Sequence, residues 1–255
     1  MNILVLTKQT FDTEEKVSIQ NGRISEEGVE FVINPYDEYA IEEAVRVKEK
    51  NGGEVTVLTV GPSRSENALR TALAMGADKA VRIEPGVGEY DEFSVAKWLA
   101  AAIRNRPFDL ILGGNMAVDS GSGQVAVRVA EELDIAHVTS ITKLVLVDRK
   151  AAVERDVEGD LEMIEVSLPV LVTAQQGLNE PRYPSLPGIM KAKKMPLEII
   201  SIADLGLSEE ESQSRTMVVD QYLPVKKQAG RILQGDLNQQ VYELAQLLRT
   251  EAKVV

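Results

Sequence analysis

Hydrophobic and polar positions follow two periods along the first half of the chain. Residues 2–7 form a short, nearly unbroken apolar run, and residues 54–60, 80–83 and 109–113 repeat it. Uninterrupted runs of this length, rich in β-branched residues, predict strands buried on both faces. Between them the spacing becomes helical. Asn34-Pro35 opens the first helix, with Asn suited to capping and Pro to the first helical position. Ala40, Ile41, Ala44 and Val45 then recur on one face, and Gly52-Gly53 ends the element. Residues 63–75 predict a second helix stopped at Gly76, and residues 91–104 a third that ends before Pro107. Residues 122–133 predict a fourth, with Val125, Val129 and Leu133 on one face. Strand–helix alternation implies parallel strands joined by right-handed crossovers, with any ligand beyond the carboxyl ends of the strands where the chain order reverses.

After His137 the pattern changes. Residues 138–147, 151–157 and 163–174 predict consecutive strands, with turn chemistry at Asp148-Arg149 and Glu158-Gly159-Asp160. They are expected to extend the same sheet in antiparallel fashion. The predicted fold class is therefore α/β: a mostly parallel twisted sheet with flanking helices, an antiparallel extension, and a C-terminal arm. Residues 1–205 form the expected α/β domain. From 206 to 255 the character is different. Glu209-Glu210-Glu211 begins a polar stretch, and Leu237, Val241, Leu244 and Leu248 then form a narrow apolar stripe on a final helix. Such an arm is expected to pack on a partner, with packing against its own domain as the alternative.

Composition removes several kinds of chemistry. The chain of 255 residues has no cysteine, which excludes disulfides, iron–sulfur clusters, thiolate metal sites and cysteine nucleophiles. His137 is the single histidine, so a multi-histidine metal site is excluded and a Ser-His-Asp triad would have to use it. Its place beside a predicted strand favours a structural or surface role. A net charge of −12 argues against nucleic-acid or anionic-membrane binding. No run approaches the ~20 apolar residues of a membrane span. The first run is too short for a signal-peptide core and lacks a basic segment before it. The expected location is cytoplasmic. No convincing nucleophile–base pair is present, so bond-making catalysis is not expected.

Three segments could carry function. The first runs Gly113, Gly114, Asn115, Met116, Ala117, Val118, Asp119, Ser120, Gly121, Ser122, Gly123, Gln124, Val125, from a predicted strand into a predicted helix. Small residues allow close backbone approach, the first helical N–H groups have no intrahelical acceptor, and Ser120 and Ser122 add hydroxyl donors. This suits a phosphate. Gly121 to Ala126 also fits a G-x-G-x-x-A pattern, but about seven residues separate it from the strand and no Walker lysine follows. A glycine-rich turn without a ligand is the alternative. The second segment covers residues 175–194, where Pro181, Pro184 and Pro187 restrict the backbone around Leu186 and basic residues follow. It reads either as a rigid apolar anchor beside positive charge, docking an acidic partner, or as an ordinary loop leading to a solvated helix face. The third, Asn34-Pro35-Tyr36-Asp37, is a helix start; its spacing says nothing about ligand contact.

Together these segments resemble the beta subunit of electron-transferring flavoproteins. Lys8, Asp12 and the block from Asn34 to Ala44 are similar to the family's beginning, and Arg70 to Asp78 to its second block. Residues 178–194, Leu-Asn-Glu-Pro-Arg-Tyr-Pro-Ser-Leu-Pro-Gly-Ile-Met-Lys-Ala-Lys-Lys, are its most diagnostic stretch. The resemblance runs in order from about residue 2 to 205. It implies a fold of the adenine-nucleotide alpha-hydrolase type and a heterodimer with an alpha subunit that holds most of the FAD. It also implies an AMP bound by this subunit, electrons taken from acyl-CoA or other flavin dehydrogenases, and delivery to a membrane quinone reductase. Transferred residue by residue, the AMP contacts fall on Leu6, Asn34, Pro35, Tyr36, Asp37, Val60 and the loop from Gly114 to Val125. Tyr36 and Thr13 fall where the family approaches the flavin. Leu186, with Pro187 and Met190, matches the partner-recognition loop, and Lys191 and Lys194 its flanking basic positions. Some relatives bifurcate electrons, carrying a second FAD in place of AMP and oxidising NADH. Their loop reads Asp-Gly-Asp-Thr-Ala-Gln-Val-Gly, whereas residues 119–126 here read Asp-Ser-Gly-Ser-Gly-Gln-Val-Ala, a departure that favours AMP. A solitary nucleotide-binding regulatory protein of similar fold, without flavin, is the alternative outside this family.

Overall fold

The computed structural model describes residues 1–86, 88–226 and 229–254. In chain order the strands are β1 (Asn2–Thr7), β2 (Gln9–Phe11), β3 (Ile19–Gln20), β4 (Arg23–Ile24), β5 (Phe31–Ile33), β6 (Glu54–Val60), β7 (Lys79–Glu84), β8 (Leu110–Gly114), β9 (Ala136–Val147), β10 (Lys150–Val157), β11 (Asp160–Ser167), β12 (Val170–Ala174) and β13 (Glu198–Ser201). The helices are α1 (Pro35–Asn51), α2 (Glu66–Met75), α3 (Glu92–Arg104), α4 (Val125–Glu132), α5 (Leu186–Ala192), α6 (Glu209–Ser212) and α7 (Leu237–Thr250).

Two units make up the chain. The larger contains Met1–Val17 and Ser25–Val219, and its spine is a nine-stranded sheet in the order β11-β10-β9-β12-β8-β1-β6-β7-β13. The strands from β12 to β13 are parallel, β9 also runs parallel to β12, and β10 and β11 add antiparallel pairs at the other edge. Alternation along β1 shows how the layers form. Ile3 and Val5 face a core shared with α1 and α2, while Leu4 and Leu6 face one shared with α3 and α4. A strand buried on both faces needs this uninterrupted apolar run, because neither face meets water. The chain steps outward from β1 to β6 and β7, then returns to place β8 on the other side of β1. The carboxyl ends of β1 and β8 therefore flank the reversal point, where the crevice of an open α/β sheet lies.

The smaller unit contains Ser18–Ile24 and Asp220–Val255. Its hairpin of β3 and β4 is tied to Gln221, whose side-chain oxygen accepts the Ile24 N–H at 2.9 Å. Helix α7 starts at an Asp236 capping box, and Leu237, Val241 and Leu244 along it are exposed.

The four parallel strands and four helices expected in the first half are present, and three expectations along the chain are corrected. The fourth helix begins at Val125 rather than at residue 122, because Gly123 adopts a left-handed backbone (φ +60°) that ends helical continuity. Residues 63–65 form a separate 3-10 turn before α2. The run 163–174 is not one antiparallel strand. It splits around Pro169 into β11, which pairs antiparallel with β10, and β12, which returns to the parallel core between β8 and β9. Proline lacks the N–H that a continuous ladder would use. His137 is an exposed residue on β9.

Leu112 sits fully buried at the centre of β8, between β1 and β12. Leu112→Ala should cost about 2–5 kcal/mol of unfolding free energy in urea titration, as cavity-forming core truncations do. A loss below about 1 kcal/mol would contradict the packing described.

Candidate functional site

The head of α1 organises the crevice. Pro35 takes the first helical position, and Asn34 precedes it in an extended conformation. The Asn34 side chain does not cap the helix, contrary to the sequence expectation. It crosses to the β8–α4 loop instead: Nδ2 donates to the Met116 carbonyl at 2.9 Å, and Oδ1 accepts the Val118 N–H at 3.0 Å. With both its polar atoms used on this backbone, Asn34 is buried and fixes the loop's path. Three residues on, Asp37 Oδ2 accepts the Lys8 N–H at 2.6 Å and Oδ1 accepts the Gly114 N–H at 3.0 Å. Burial pushes the Asp37 carboxyl up to about 7, against the hydrogen bonds from Lys8, Asn34 and Gly114 that favour its charged form.

Further bonds hold the start of the same loop. Asn115 donates its backbone N–H to the Ala174 carbonyl at 3.0 Å, and its Oδ1 accepts the hydroxyls of Ser140 at 3.0 Å and Thr173 at 3.1 Å. Lys8 Nζ lies 2.7 Å from Asp119 Oδ1, linking the exit of β1 to the middle of the loop. Both partners are partly exposed, so this pair is worth at most about 1 kcal/mol. The loop then enters α4, whose N-terminus has no side-chain cap and no acidic residue in its first turn. Its first-turn N–H groups are left for an anion, which the helix dipole also favours.

These elements wall a cleft of about 550 Å³, within the range of small-molecule sites. Of the residues singled out from sequence, Leu6, Asn34, Asp37, Val60, Gly114, Asn115, Met116, Ala117, Asp119, Ser120, Ser122, Gly123, Gln124 and Val125 line it. Pro35, Tyr36, Val118 and Gly121 do not. Tyr36 packs behind Gly114, where an added Cβ would lie 2.7 Å from the Tyr36 Cβ and 2.3 Å from Asp37 Oδ1. Thr13 is exposed and also lies off the wall.

Two walls were not read from the sequence. In one, the Arg64 guanidinium stacks 4.0 Å over the Phe31 ring, donates to Gln9 Oε1 at 2.9 Å and pairs with Glu26 at 2.7 Å; Phe11 packs on Phe31 with ring centroids 5.5 Å apart. The neighbouring Thr10 hydroxyl is buried, lines the cleft and has no partner among the described residues. It is a polar group free for a bound molecule. The other wall is the segment Thr216, Met217, Val218, tied down by Asp91, the N-cap of α3. Asp91 Oδ2 accepts the N–H groups of Arg215 and Thr216 and the Thr216 hydroxyl at 2.8–2.9 Å, while Oδ1 accepts the Ser94 N–H at 3.0 Å. Burial acts to raise the Asp91 carboxyl, but these bonds outweigh it and hold it well below the usual carboxylate range. The sequence reading begins a helix at Asp91 but gives neither its capping role nor its grip on residues 215–216.

Leu186, Pro187, Met190, Lys191 and Lys194 do not line the cleft; they lie on or beside α5, which packs on α2. Leu186 is the first residue of this helix, because Ser185 caps it by accepting the Gly188 N–H at 3.1 Å and Pro187 fits its first turn. Leu186, Met190, Lys191 and Lys194 are all exposed.

Residues 21–205 match the model of the electron transfer flavoprotein domain family. The chain is 57% identical, over the full length of both chains, to the electron transfer flavoprotein subunit beta of Bacillus subtilis (strain 168). It is 39% identical to the subunit of the same name from Syntrophomonas wolfei, covering 100% of this chain and 98% of that one. It is also 39% identical to the caffeyl-CoA reductase-Etf complex subunit CarD of Acetobacterium woodii, covering 92% of each.

The raised Asp37 carboxyl sets a pH dependence. The folded chain holds this proton more tightly than the unfolded chain, so the stability contributed by Asp37 is full below about pH 4 and is lost as pH rises to about 7. Asp37→Asn removes that term. The stability difference between wild type and variant should fall as pH rises from 4 to 7, by at most about 1.4 kcal/mol per pH unit. Urea unfolding across this range measures it, and a flat or rising difference would contradict the assignment.

Proposed function

This chain belongs to the electron transfer flavoprotein family, on its beta-subunit branch, and from that premise we propose that it binds AMP in the cleft between β1 and β8. As a beta subunit of an electron transfer flavoprotein it has an alpha subunit as partner. In the reading proposed here, that partner holds most of the FAD, this chain helps to enclose it, and the pair takes electrons from flavin dehydrogenases and passes them to a membrane quinone reductase. The flavin supplies the electron-carrying chemistry when bound. This chain makes and breaks no bonds; it supplies position, enclosure and docking.

The observation that carries the AMP assignment is the crosslinked loop running into an uncapped helix. Asn34 and Asp37 hold the backbone from Gly114 to Val118, and residues 122–125 then lead to the α4 N-terminus, where N–H groups and the Ser122 hydroxyl suit one phosphate. Leu6 and Val60 offer apolar contact beyond it, and the Thr10 hydroxyl a polar one. A monophosphate is favoured over a dinucleotide by the loop sequence Asp119-Ser120-Gly121-Ser122-Gly123, which departs from the bifurcating pattern. The second reading, a further FAD in this cleft and NADH oxidation by the complex, draws on the size of the cleft and the aromatic pair Phe11 and Phe31 on its wall. The exposed Leu186 and Met190 beside Lys191 and Lys194 suit a partner whose surface is apolar at the centre and acidic at the rim.

Gly123 has φ +60°, and an added Cβ would lie 3.3 Å from the Asn115 carbonyl. Gly123→Val should therefore distort the loop, release AMP from the purified two-subunit complex and lower its Tm; unchanged AMP content would refute the assigned site. Leu186→Ala should slow electron transfer from a substrate-reduced dehydrogenase about tenfold while flavin content stays intact, as loss of an interface anchor worth about 1.4 kcal/mol would do. Equal transfer rates would refute the docking role.

A further inference from the structure

The segment before α5 is fastened to α1 by one arginine and two carboxylates. Arg182 donates from Nε to Glu42 Oε2 at 2.8 Å and from Nη2 to Glu42 Oε1 at 3.1 Å. It also donates from Nη1 and Nη2 to the two oxygens of Glu49 at 2.6 and 3.0 Å, and its backbone N–H reaches Glu42 Oε2 at 3.1 Å. The Glu42 side chain is only 3% exposed and also accepts from Arg46 Nε at 2.6 Å. Arg46 in turn donates to the Glu180 carbonyl at 3.1 Å, and Asn179 Nδ2 donates to the Tyr39 carbonyl and to Glu43 at 3.0 Å each. Past α5, Arg70 on α2 donates to the carbonyls of Ala192 and Met195. Both ends of residues 183–191 are thus held by arginines.

What lies between the two anchors buries little. Tyr183, Leu186 and Met190 are 96%, 78% and 65% exposed. Ordering such a segment costs about 1–2 kcal/mol per residue in backbone entropy, with little apolar burial to offset it. A bidentate guanidinium shared by two carboxylates fixes direction as well as distance. Burial acts to raise the Glu42 carboxyl, but Arg182 and Arg46 outweigh it and hold it below the usual range, so the clamp stays ionised at neutral pH.

We propose that Arg182, clamped by Glu42 and Glu49, is the positioning residue that sets the angle at which Leu186 and Met190 meet the partner. The inference rests on the docking role of that surface given above. Its effect on binding is preorganisation: the ordering cost of the loop is met before the partner arrives. The Arg182 guanidinium is taken up by Glu42 and Glu49 on α1, so its role runs through the segment that carries Leu186 and Met190.

The test uses the complete two-subunit complex with a substrate-reduced acyl-CoA dehydrogenase as electron donor. Arg182→Lys keeps the charge but serves only one carboxylate geometry, and Glu49→Gln removes the more exposed half of the clamp and leaves Glu42 paired. Each should raise the KM for the dehydrogenase about threefold to tenfold, with kcat, flavin content and AMP content unchanged. On a Leu186→Ala background the Arg182→Lys effect should fall well below its size in the wild type, since both act through one surface; a merely structural role would add in full. Unchanged KM in both clamp variants, or full additivity with Leu186→Ala, overturns the positioning role. If Leu186→Ala itself leaves KM unchanged, the docking surface falls and the positioning role with it. A raised KM for Leu186→Ala alone leaves docking standing and overturns only the clamp.

Discussion

A carboxylate buried at the head of the first helix ties together the exits of two neighbouring strands just past the end of their ladder. Asp37 accepts one N–H from the exit of β1 and another from the exit of β8, and Asn34 beside it binds the next stretch of the β8–α4 loop. Burying this group carries a desolvation penalty, visible in its raised proton affinity. Hydrogen bonds to a charged group, worth about 1.5–3 kcal/mol each, offset it only in part. The helix can come this close only because Gly114 has no side chain; a Cβ would overlap Asp37. Remove that contact and both the mouth of the cleft and the loop before α4 lose their reference point.

The same helix serves a second purpose along its length. Its head organises the cleft, and Glu42, Glu43 and Glu49 further along receive Asn179 and Arg182 at the base of the exposed segment around Leu186. One rigid element thus positions both a ligand cleft and a candidate docking surface. That economy explains an oddity of the sequence: Glu42 and Glu43 are acidic residues on the buried side of a helix, where they would be costly without partners. Each has one, contributed from about 140 residues away.

Much of the framework was legible because its chemistry is local. Strands buried on both faces need mostly apolar, β-branched runs, so β1, β6, β7 and β8 stood out despite Thr56, Thr59 and Arg82, and Gly52, Gly76 and the Asn34-Pro35 pair punctuated the helices between them. Position in the sheet was less legible. Residues 170–174 read as the continuation of an antiparallel strand, although they sit at the heart of the parallel core, because an apolar run does not say which neighbour it pairs with. Strand β13, only four residues long and half exposed at an edge, gave no period at all. In the site, the glycine-rich loop declared itself by composition. The reach of Asn34 across to Met116 and Val118 did not, since a helix-capping residue and a loop crosslink look the same in one dimension. The grip of Asp91 on residues 215–216 and of Arg182 on Glu42 also depends on long-range contact, which only the folded chain reveals.

The proposed AMP site depends on a phosphate held where the loop from Gly114 enters α4. Nucleotide analysis of the two-subunit complex, copurified and then denatured, tests this most directly. One AMP and one FAD per heterodimer is the expected result. Two FAD without AMP, or a complex with no nucleotide besides the alpha subunit's flavin, would contradict it.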